Sequence, residues 1–74
     1  MAIRYLKKYA ALEGHVSAED AEALSNWLRT QPVPAVHLGK CEQVHAAVLQ
    51  VLLCLRPRIN AEPPSRWLAA ALAG

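Results

Sequence analysis

The sequence predicts a small α/β domain, a mostly parallel sheet of three to four short strands with helices packed on it. Three observations predict it. Short β-type runs alternate with helical runs in the order β-β-α-β-α-β-α, and such alternation sets helices on a largely parallel sheet. Prolines at 32, 34, 57, 63 and 64 fall where helical patterns must stop or start. The chain has 74 residues, 54% hydrophobic and 19% charged, which suits one domain over 1–74 with one marginal core. A large enzyme with its own cofactor domain is excluded by length, and disorder by composition.

Met1 to Leu6 reads as a short strand. Lys7-Lys8 suits an exposed turn, and Tyr9 to Glu13 returns as a second, antiparallel strand. Gly14 is expected to end it, because glycine permits a sharp change of direction. Ser17 then caps a helix, with Asp20 three residues on as in a capping box. Glu19, Asp20 and Glu22 in the first turn and Arg29 in the last suit the helix dipole. Ala21, Leu24 and Leu28 form the apolar stripe, with Trp27 beside it. Pro32 and Pro34 end that helix.

Ala35 to Leu38 reads as a central parallel strand buried on both faces. Gly39 to Glu42 reads as a loop. A second helix follows over about Val44 to Leu55, apolar around most of its circumference, with Gln43, Ala47, Gln50 and Cys54 on a narrow polar face. Such a helix is either largely buried or presents an adhesive surface. Pro57 stops it. Arg58 to Ala61 is a candidate last strand. Pro63-Pro64 introduces a third helix, Ser65 to Ala73, whose buried face is expected to comprise Trp67, Leu68, Ala71 and Leu72.

The net charge is +2, and the basic residues are scattered apart from Lys7-Lys8, which Tyr5 and Tyr9 flank. No basic run interleaved with aromatics is present, so no nucleic-acid partner is expected. Cys41 and Cys54 do not make a disulfide framework. No secretory leader is visible, and the longest apolar run is shorter than the roughly 20 residues that span a bilayer. A reduced, cytoplasmic protein without membrane insertion is expected.

His37, Cys41 and His45 are spaced four apart, but they fall on a strand, a loop and a helix start, so the spacing does not put them on one face. No metal is expected there. Cys41 before a helix N-terminus with a histidine nearby has the elements of a nucleophile, yet no oxyanion-forming loop accompanies it, and no catalytic residue is assigned. The three glycines, at 14, 39 and 74, are too far apart for a phosphate-cradling loop or a dinucleotide fingerprint, and no cofactor is expected.

Three segments in order resemble the STAS domain of bacterial anti-sigma-factor antagonists. Ala10-Ala11-Leu12-Glu13-Gly14-His15-Val16-Ser17 is similar to that family's strand, glycine bend and first helix. Ala35-Val36-His37-Leu38-Gly39-Lys40-Cys41 is similar to its central strand and small-residue loop. Val44-His45-Ala46-Ala47-Val48-Leu49 is similar to the stretch leading into its second helix. The departures are specific. His37 and His45 stand where the family often has aspartate, and Ala46-Ala47 stand where it has hydroxyl residues, one of them a phosphorylated serine. Alanine has no hydroxyl, so no phosphorylation site is expected here. A full-length domain of that family also adds another strand and helix.

The resemblance implies a non-catalytic protein-binding module of a bacterial regulatory pathway. Its partner would be an anti-sigma factor, a kinase or a response regulator, and a homodimer is compatible with it. The alternative is a small subunit bound to the ATPase of a phospholipid-transport ABC complex. Carried over position by position, the partner surface comprises Lys40, Cys41, Glu42, Val44, His45, Ala46 and Ala47, with Gln50 one turn on.

Overall fold

The computed structural model describes residues 2–73. Strands β1 (Ile3–Tyr5), β2 (Ala10–Val16), β3 (Ala35–Val44) and β4 (Arg58–Ala61) form one sheet in the order β1-β2-β3-β4. β1 is antiparallel to β2, whereas β2, β3 and β4 are mutually parallel. Helices α1 (Glu19–Thr30) and α2 (Ala46–Leu55) connect the parallel strands, and α3 (Arg66–Ala73) follows β4. The two crossovers step the same way across the sheet, and crossovers of one hand place both helices on one face. There α1 packs against α2, and α2 against α3.

The core lies between that face and the helices. Leu12 and Val16 of β2, Val36, Leu38 and Cys41 of β3, Leu24 and Leu28 of α1, Val48 and Leu52 of α2, and Leu68 of α3 form one buried cluster. Each fully buried leucine contributes about 1.5–3 kcal/mol relative to exposure. The other face of the sheet is uncovered. Arg4, Ala11 and His37 lie side by side on it in register, followed by Glu13 opposite Lys40. Arg4 and Glu13 pair there at 2.9 Å, and Tyr9 rests on His37 with ring centroids 5.9 Å apart.

This arrangement corrects the expectation that β3 is buried on both faces. The apolar Ala35 and Val36 suggested it, but His37 is only half-buried on the open side. β3 also runs on to Val44, through residues 39–42 expected to loop. Polar Lys40 and Glu42 are tolerated in a central strand because they face solvent. Two irregularities in the β2–β3 pairing give β3 two more residues than β2 between Ala10↔Val36 and Val16↔Val44. One lies around Gly39, where a Cβ would sit 2.9 Å from the His37 ring. β2 likewise continues through Gly14 instead of ending there. Gly14 has φ +66°, and the second irregularity follows it.

The start of α1 differs in detail. Ala18 occupies the cap position, and the Asp20 carboxylate accepts from the Ser17 N–H at 3.3 Å and its hydroxyl at 3.4 Å. Only the return arm of the capping box forms. α2 begins at Ala46, not Val44, and Gln43 belongs to β3 rather than to the polar face of the helix. On α3, Leu68 is fully buried, but Trp67 is 66% exposed, contrary to its expected place in the core.

Candidate functional site

The segment that leaves β3 and enters α2 is held by backbone chemistry. The His45 N–H donates to the Val16 carbonyl at 2.8 Å, which ties the segment to the end of β2. His45 is extended, and its Nδ1 accepts from the Ala47 N–H at 3.0 Å. Its carbonyl accepts from the N–H groups of Val48 and Leu49. The helix therefore has a fixed, histidine-capped N-terminus, with no acidic residue in its first turn.

Beside it lies a hollow lined by Glu42, Gln43, Val44, Ser65 and Trp67. The Ser65 Oγ accepts from the Leu68 N–H at 3.2 Å and so fixes the start of α3, from which Trp67 projects. Glu42 also stands 3.9 Å from His15 across the strand ends. The indole is exposed at this capped helix start. Tryptophan is among the residue types enriched at the energetic centres of protein interfaces.

The expected partner residues separate into three groups. Glu42, His45, Ala46 and Gln50 are exposed around this turn, and Val44 and Ala47 are half-buried against the core. Lys40 is exposed but lies on the open sheet face, beside Glu13 and His37. Cys41 is fully buried in the core and offers no contact surface. The reason is the β-strand itself, which points Lys40 and Cys41 to opposite faces. Gln43, Ser65 and Trp67 line the hollow beside this turn and are not among the residues expected from the sequence. The one available signal was the offset of Trp67 from the Leu68–Leu72 stripe.

His37, Cys41 and His45 do not converge. His37 Nδ1 faces the Gly39 N–H on the open side, His45 Nδ1 holds the helix cap, and the Cys41 thiol points inward with the Gln43 carbonyl at 3.9 Å. Burial pushes the Cys41 thiol up, and the Glu42 charge pushes it further, so its nucleophilic form is disfavoured. Among the described residues no group of three or more His, Cys, Asp or Glu side chains is gathered to hold a metal. No helix among them is long and apolar enough to cross a membrane.

No protein-family profile and no curated protein matches this sequence. A solved structure described as "Crystal Structure Analysis of Mglu" is similar in fold, with a TM-score of 0.51 and 16% identity over 86% of this chain. The chain spans 19% of that protein's length. The likeness concerns the fold alone.

Proposed function

We propose that the protein is a non-catalytic protein-interaction module, similar to anti-sigma-factor antagonists but without their phosphoserine switch. Its partner is a bacterial regulatory protein: an anti-sigma factor, a kinase or a response regulator. One observation carries this reading. The α2 N-terminus, which the family resemblance marks as the partner surface, is accessible, rigidly capped and flanked by the exposed indole of Trp67. The small exposed Ala46 lets a partner backbone approach closely. Lys40 is peripheral to this surface, and Cys41 supports it from within.

Ala46→Glu tests the reading cleanly. A carboxylate in the first turn suits the helix dipole, so the fold is retained while the contact is obstructed. Tagged wild-type and variant proteins are used to capture partners from native cells, with quantitative mass spectrometry. The expected result is a regulatory protein enriched by the wild type and lost with Ala46→Glu. Equal capture by both removes the α2 surface. Enrichment of a membrane ATPase instead transfers the same surface to the phospholipid-transport reading.

A further inference from the structure

A second surface lies at the opposite end of β3, up to about 30 Å from the α2 turn for a ten-residue strand. There the structure brings together cations distant in sequence. Lys7 and Lys8 form the β1–β2 turn, and Arg58 opens β4. With Pro32, Val33 and Asn60 they line a cleft of about 360 Å³. All three cations are exposed, and no carboxylate of the described residues pairs with them. Their backbones are fixed. The turn is closed by the Leu6 N–H on the Tyr9 carbonyl at 2.9 Å, and the Arg58 N–H donates to the Pro34 carbonyl at 2.9 Å.

Three like charges around one cleft repel each other, and each ordered anion that enters relieves this. Pro32 and Val33, the latter 58% exposed, supply an apolar wall beside them. No aromatic side chain lines the cleft, so bases have nothing to stack on, which disfavours a single-stranded nucleic acid. The combination of paired cations and an aliphatic shelf fits alternating carboxylates and an aliphatic side chain. We infer that this cleft binds an acidic peptide segment carrying an aliphatic residue between its carboxylates. This goes beyond the α2 surface and does not depend on it.

The test is an amide-resolved NMR titration of the whole protein with the blocked peptide Asp-Glu-Val-Asp-Glu and its neutral counterpart Asn-Gln-Val-Asn-Gln. The expected result is saturable shifts at Lys8, Val33, Arg58 and Asn60 with the acidic peptide only. Binding weakens several-fold between about 10 mM and about 150 mM salt, as the screening length falls from about 30 Å to about 8 Å. Lys8→Glu with Arg58→Glu weakens it by at least about tenfold through like-charge repulsion. Should that pair fail to fold, Lys7→Ala with Lys8→Ala, confined to the turn, serves instead. The proposal is overturned by non-saturating shifts, by an equal response to the neutral peptide, or by shifts centred on α2. Tighter binding of anionic phospholipid vesicles or of an oligonucleotide than of the peptide also overturns it.

Discussion

The half of the molecule beneath α1 is packed closely, and the half beneath α3 is not. Under α1, Leu12 and Leu24 are completely closed to solvent, and Ile3 and Leu28 nearly so. The Tyr5 ring meets Trp27 there with centroids 5.5 Å apart. Beyond β3, Ile59 faces the helices in register with Val36 yet remains 41% exposed. A narrow apolar slot runs between Leu52, Leu53, Ile59 and Leu72. The difference teaches where each property resides. Closed packing is concentrated around β1, β2, β3 and α1, and the α3 side, apart from the fully buried Leu68, leaves apolar surface exposed. Elements with few buried contacts also open at lower free-energy cost.

The largest expected effect breaks the close-packed half. Leu24→Ala leaves a cavity among residues that cannot collapse and is expected to cost about 2–5 kcal/mol in urea unfolding. Leu72→Ala, at the slot under α3, is expected to cost about 1 kcal/mol, since its side chain is only partly removed from water. Equal losses at the two leucines would dissolve the distinction between the halves.

Gly39→Ala probes the uncovered face and is expected to change stability by less than about 1 kcal/mol, because the half-buried His37 ring that it meets can give way. The added methyl meets the His37 ring and moves it off Tyr9, so the Tyr9 and His37 resonances are expected to shift. Tyr5→Phe sharpens the picture in the opposite direction. The Tyr5 hydroxyl is buried with no hydrogen-bond partner among the described residues, and its removal is expected to stabilise the fold by about 1 kcal/mol.

Tyr5→Phe also changes the pH dependence. Burial raises the Tyr5 phenol above its ordinary 10.0, reinforced by the Asp20 charge, and burial raises the Cys41 thiol above its ordinary 9.0. Both groups bind protons more tightly when folded than when unfolded. Their contribution is full below the ordinary values and is lost as pH rises through the raised ones. Stability is therefore expected to fall above about pH 9 in the wild type. In Tyr5→Phe the decline is shallower, because only the thiol remains to drive it. An unchanged alkaline slope in urea midpoints would contradict this assignment.

Much of the fold was legible because its signals are local. Ala21, Leu24 and Leu28 define the buried stripe of α1, and the prolines at 34 and 57 stand just outside the elements they delimit. The length of β3 was not legible. Its irregular pairing places buried Leu38 and Cys41 three apart, which breaks the alternation that marks a strand, and its polar residues read as a loop. The sequence pattern placed the start of α2 two residues early, at Val44 rather than Ala46, and Cys41 could not be separated from Lys40 without knowing that both belong to a strand. Trp67 was missed because an indole is usually taken as core. The basic cleft was invisible, since it joins a turn at residues 7–8 to Arg58 through the sheet order alone.

The smallest expected effect on stability belongs to Trp67→Ala, and it tests the central claim most directly. The indole is two-thirds exposed, so its loss is expected to change unfolding free energy by no more than about 0.5 kcal/mol. The same variant is expected to lose the regulatory partner captured by the wild type, by at least about tenfold, as truncation of an aromatic interface anchor does. An unchanged urea midpoint together with lost capture is the result the account predicts. Full capture by a stably folded Trp67→Ala protein would contradict it.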